Sequence, residues 1–178
     1  MFRTVSSAFG IVLSLAQVSA APSTSNLTFV GDSLVARYNA FGAQGGLIEF
    51  VPPDETIGGW TRLVGYRAFL ESRQSASEAA AALGHQTRER FPGINPTLYE
   101  RRNEAVVEFA LPSPDGTIEY NVFRYAIGPG GHGLVSLQYA RRLRGHDVHG
   151  MPNQAPRWAA EVARFDMNRV RAAFAQLR

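Results

Sequence analysis

The 178-residue chain contains no cysteine and no lysine. Without cysteine there are no disulfides, no thiolate metal centre and no thiol nucleophile. All the basic side chains are arginine, which points to a GC-rich source rather than to a function. The net charge is only +3; so mild a positive balance does not by itself argue for nucleic acid, where charge clustered along one face is expected, and no nucleic-acid partner is expected. No segment reaches about eighteen unbroken apolar residues, the length that marks a membrane-spanning helix. Internal repeats and low-complexity linkers are also missing.

Residues 1–20 read as a secretory signal peptide. Arg3 supplies a short positive region, Val5 to Leu15 an interrupted apolar run, and Val18-Ser19-Ala20 a small-x-small cleavage site before Ala21-Pro22. The expected product is a single domain over 21–178, soluble and exported, periplasmic or secreted. A domain of this size buries about 70% of its unfolded surface and needs no covalent staples.

Ser33 to Asn39 alternates and predicts a strand; Leu47 to Val51 returns beside it after a glycine-rich turn. Pro52-Pro53 stops the ladder, because proline has no N–H to give. Trp60 to Phe69 predicts a third strand. Ser75-Ala76-Ser77-Glu78 reads as a capping box opening a helix over Ala76 to Arg90, with Arg88 and Arg90 at the negative end of its dipole. Thr97 to Arg102, Ala105 to Leu111, Thr117 to Ile127 and Leu134 to Arg142 predict an antiparallel meander. Its turns fall at Pro112 to Gly116, around Asp-Gly, and at Gly128 to Gly133. A terminal helical segment follows, with Asn153 as cap and Pro156 in the first turn. Trp158, Val162 and Phe165 share a face, and the stripe shifts near Asp166. The expected fold class is α+β: an antiparallel sheet of about six or seven strands, one central helix and a C-terminal helical segment packed on it.

Gly31-Asp32-Ser33-Leu34 resembles the nucleophile block of the GDSL or SGNH hydrolases, a family of secreted esterases and lipases. That resemblance implies Ser33 as nucleophile, Asn95 as oxyanion donor and His149 as base. The surrounding residues point elsewhere. Pro96 follows Asn95 where the family has Asp, and Asp147-Val148-His149 is one residue shorter than Asp-x-x-His. Ser33 also opens a strand of a meander, not the strand-to-helix turn of a parallel β–α–β unit. The match is read as coincidence, with a serine esterase as the alternative function.

Gly128-Pro129-Gly130-Gly131-His132-Gly133 looks like a phosphate cradle, yet it lacks a P-loop lysine and precedes a strand, so it reads as a hairpin loop. His146, Asp147 and His149 crowd one loop, but its His-x-x-His pair has no third ligand fixed in sequence, so no metal site is expected, and no cofactor. His85 reads as a surface residue. Arg141-Arg142-Leu143-Arg144 reads as a solvated strand end, with binding of anionic partners as a weaker alternative.

Gly46 to Val64 runs GLIEFVPPDETIGGWTRLV. It resembles the opening motif of a group of small exported bacterial proteins of unknown function. In those, a Glu-aromatic-Val-Pro strand leads through Gly-Glu-Thr to a Trp-Thr pair, followed by a helix, a meander and a C-terminal helix. Asp54 stands where that motif has glycine. More loosely, the layout resembles the PsbP/Mog1-type α/β/α sandwich, whose members mostly act as binding or assembly factors. The resemblance implies a non-catalytic binding or accessory protein of the bacterial envelope, with a protein or small-molecule partner; a monomer is expected. Glu49 and Glu55 are placed to pair with Arg62 or Arg67. The candidate ligand-binding residues are Asp54, Glu55 and Trp60, since an aromatic beside carboxylates on a loop is a common binding element.

Overall fold

The computed structural model describes residues 26–175; the expected signal peptide lies outside them. Eight strands form one antiparallel sheet: β1 (Asn26–Phe29), β2 (Asp32–Gly42), β3 (Gly45–Val51), β4 (Arg62–Phe69), β5 (Thr97–Arg101), β6 (Glu104–Pro112), β7 (Ile118–Ile127) and β8 (Leu134–Leu143). Their order across the sheet is β1-β2-β3-β4-β8-β7-β6-β5. The chain lays down four strands, leaves through helix α1 (Ala76–Arg90) to the far edge, and works back until β8 closes on β4. Helices α2 (His146–Arg164) and α3 (Met167–Ala173) follow. The expected α+β class, central helix and packed C-terminal helices are all present.

Strand alternation sorts the side chains onto two faces. Val64, Tyr66 and Ala68 of β4 and Val135, Leu137 and Tyr139 of β8 join Trp158, Val162, Val170 and Phe174 in the larger core, beneath α2 and α3. On the opposite face, Val107, Phe109, Phe123 and Tyr125 take Ala80 and Leu83 of α1. Each large apolar side chain so buried contributes about 1.5–3 kcal/mol. The α1 cap is complete. Glu78 N donates to Ser75 Oγ at 3.2 Å and Ser75 N donates to the Glu78 carboxylate at 2.7 Å.

Three local expectations are corrected. First, β1 adds an unexpected edge strand. Phe29 pairs with Asp32 around Val30-Gly31, whose φ values of 53° and 85° are those of a type I′ hairpin turn. A β-branched residue is unusual there, so the turn carries no standard sequence signal. Second, β4 begins at Arg62, leaving Trp60 in the preceding loop. Third, Asn153 does not cap the terminal helix. α2 starts at His146 and runs through both Pro152 and Pro156. Val148, Met151, Ala155, Trp158 and Val162 lie at helical spacing and pack on the sheet, and this burial outweighs the two lost backbone donors. The expected break near Asp166 is present. Asp166 Oδ1 accepts from Asn168 N at 3.0 Å and caps α3.

Candidate functional site

The residues of the hydrolase pattern stand apart. Ser33 is exposed on β2, paired with Thr28 of the edge strand, while Asp32 beside it binds Arg62 at 2.6 Å. Asn95 precedes β5 at the opposite edge of the sheet. Six strand spacings of about 4.8 Å separate those two strands. His149 is exposed in the first turns of α2. Among the described residues no group of three or more His, Asp or Glu is placed to hold a metal ion.

The loop between β3 and β4 is closed by Glu55, whose carboxylate accepts from Thr61 N at 2.6 Å and from Thr61 Oγ1 at 2.5 Å. Its own N donates to Pro52 O at 3.0 Å. Asp54 is exposed at the outer bend. Trp60 is only 3% exposed and packs with Val51, Leu63 and Ala140. The Arg142 guanidinium covers it, 3.8 Å from the ring centroid. Of the expected ion pairs, Glu49 does meet Arg67, at 3.6 Å, whereas Arg62 turns to Asp32 and Glu55 to Thr61.

From this loop a hydrogen-bonded row crosses the same face of the sheet that carries α1. Arg142 Nε donates to Glu119 Oε2 at 3.1 Å, Asn121 Nδ2 to Glu119 Oε1 at 3.2 Å, and Gln138 Nε2 to Asn121 Oδ1 at 2.8 Å. Gln138 pairs in register with Gly65, and Gly65 with Glu49. Glycine at that point leaves room for two head groups. A Cβ on Gly65 would stand 2.8 Å from Arg67 Nη1 and 3.3 Å from Gln138 Oε1. Arg67 also lies over the Phe123 ring, and its strand partner is Ser136.

Burial governs the electrostatics. It raises the Glu49 carboxyl above its ordinary range, with Arg67 pulling the other way. It lowers the Arg67 guanidinium, opposed by Glu49 and Tyr125. It pushes the Tyr125 hydroxyl up to about 12. Arg67 Nη1, Gln138 Oε1 and Ser136 Oγ are buried without a hydrogen-bond partner among the described residues. Leaving such a group unpaired costs about 1–3 kcal/mol, so interiors rarely collect several together. Here a donor and an acceptor flank one glycine, and the row reaches solvent where Leu47 and Arg67 are part-exposed. Chemically, Arg67 Nη1 leaves a donor and Gln138 Oε1 an acceptor unspent beside the same glycine.

The sequence offers Glu49 and Glu55 as partners of Arg62 or Arg67 without choosing among them, and passes over Gly65, Asn121, Ser136 and Gln138. A signal was present. Asn121, Ser136 and Gln138 interrupt otherwise apolar strands, and a glycine inside a strand marks close approach by another group.

No curated protein and no solved structure matches the chain. A protein-family model matches residues 26–173, from the start of β1 to the end of α3. The chain therefore belongs to that family, an uncharacterised one of bacterial type.

Proposed function

We propose that the chain is an exported, non-catalytic binding protein of the bacterial envelope, and that it takes a small, uncharged, hydrogen-bonding molecule at the polar row beside Gly65, where Arg67 and Leu47 are part-exposed. Arg67 donates to the ligand, Gln138 accepts from it and Ser136 does either. Of the expected binding residues Asp54, Glu55 and Trp60, only Asp54 is free to meet a ligand, since Glu55 is spent on Thr61 and Trp60 lies buried under Arg142. The carrying observation is the cluster of buried polar atoms without partners, Arg67 Nη1 and Gln138 Oε1, on either side of Gly65. The separation of Ser33 from Asn95 across the sheet supports the non-catalytic reading, since a serine needs an aligned base and oxyanion donors.

Thermal denaturation of the purified chain against neutral amides and polyols tests the site. Stabilisation that grows with ligand concentration is expected, and it should be lost in Gln138→Leu. Stabilisation that survives in Gln138→Leu places the ligand elsewhere. A fluorophosphonate probe tests the alternative. Labelling abolished by Ser33→Ala makes the protein a serine hydrolase. Export is tested by N-terminal sequencing of the secreted or periplasmic product, expected to begin at Ala21.

A further inference from the structure

A second concavity lies away from the Gly65 row, where the β5–β6 hairpin, the end of β7 and the α2–α3 junction meet. It has a volume of about 500 Å³, within the range of small-molecule sites. Arg101, Arg102, Arg124 and Arg171 line it, with Glu104 as the one acid. Glu104 is already committed, because Arg124 Nη2 and Nε donate to it at 2.6 and 3.2 Å. Arg124 Nη1 donates to the carbonyls of Val162 and Phe165 at 3.1 and 2.8 Å. Arg124 is thus a fixed strut that ties the end of α2 to the sheet and neutralises the acid.

The other three cations are uncompensated. Arg101 and Arg102 are exposed and make no ion pair or side-chain hydrogen bond among the described residues. Arg102 sits at the hairpin tip with φ 51°, a left-handed position where glycine or asparagine is less strained. Arg171 is held in place. Its Nε donates to Ile127 O at 2.8 Å and its Nη1 to Asn168 Oδ1 at 2.9 Å, leaving Nη2 without a protein partner among the described residues. Two exposed apolar side chains border the same concavity, Tyr99 at 53% and Ile127 at 37%. By contrast, Arg141, Arg142 and Arg144 at the end of β8 are engaged with Trp158, Glu119 and Asp115.

We propose that this cleft is a binding site for a small organic oxyanion: a carboxylate or phosphate head group held by Arg101, Arg102 and Arg171, on an apolar body resting against Tyr99 and Ile127. Guanidinium groups match such heads with paired N–H donors. The site is independent of the Gly65 row.

The test is calorimetric titration of the purified chain with phenyl phosphate, beside inorganic phosphate and benzyl alcohol. Saturable binding of phenyl phosphate is expected, tighter than that of either half alone, and weakening as salt rises from about 0.05 to about 0.5 M. The double variant Arg101→Gln with Arg102→Gln should bind roughly tenfold more weakly or worse while melting at the wild-type temperature, since neither side chain has a partner to lose. Unchanged affinity in that variant overturns the proposal. So does a failure of phenyl phosphate to saturate at millimolar concentration, including when the chain adsorbs to phosphatidylglycerol vesicles. Inorganic phosphate binding as tightly as phenyl phosphate removes the apolar half of the assignment.

Discussion

Arg142 holds two partners at once: its guanidinium lies 3.8 Å from the centroid of the Trp60 ring, and its Nε donates to Glu119 at 3.1 Å. This joins the loop after β3 to the polar row on the sheet, so the loop's position and the row's order are coupled.

Arg142→Ala removes a stacking contact worth about 0.5–2 kcal/mol. It also frees Glu119, which then holds Asn121 less firmly. A loss of about 1–3 kcal/mol in urea unfolding is expected. Arg142→Lys should recover only part of it, because a compact ammonium cannot lie flat on the ring and donate sideways together. A loss below about 0.5 kcal/mol would show that Trp60 is held by its apolar neighbours alone.

Gly65→Ala places a methyl group 2.8 Å from Arg67 Nη1, the far end of a flexible side chain. The head group swings aside, and alanine is favoured over glycine in a strand by about 0.5–1 kcal/mol. Stability within about 1 kcal/mol of wild type is expected, together with lost binding at the row. Unfolding of this variant would mean that Arg67 cannot move.

Glu49 has a folded-state pKa above its ordinary 4.5, chiefly through burial. The folded state therefore holds this proton more tightly than the unfolded state. Its contribution to stability is fully present below pH 4.5 and is lost as pH rises through the raised folded value. In Glu49→Gln this fall should vanish, so stability measured against pH from 4 upward is flatter than in wild type. Parallel curves would place Glu49 in water rather than in the sheet.

The Glu78 carboxyl is lowered by its hydrogen bonds from the Ser75 backbone and side chain. Its contribution is present above pH 4.5 and is lost as pH falls through the lowered folded value. Ser75→Ala removes the reciprocal cap and should cost about 1 kcal/mol by denaturant titration. A neutral outcome would show that α1 is fixed by Ala80 and Leu83 alone.

Local signals carried much of the fold. The Ser75–Glu78 box and Ala76–Arg90 helix, the Asp115-Gly116 turn and the alternation of β6 to β8 all express short-range chemistry, and each is found where the sequence places it. The misses were of another kind. The Val30-Gly31 turn uses a residue poorly suited to positive φ, and α2 continues through two prolines because its apolar stripe is buried. Both depend on contacts with distant parts of the chain. The same holds for the candidate site. Glu49 was legible as a partner of Arg62 or Arg67, but Gly65, Ser136 and Gln138 acquire meaning only once β8 is known to lie beside β4. The sequence order of strands does not announce that pairing.

Native mass spectrometry of the chain purified gently from its own source, beside Gly65→Ala, tests the binding reading most directly. Wild-type protein should carry a small neutral molecule as a discrete adduct, released on activation and missing from the alanine variant. Identical spectra for the two proteins, with both folded, would contradict a ligand seat at the polar row beside Gly65.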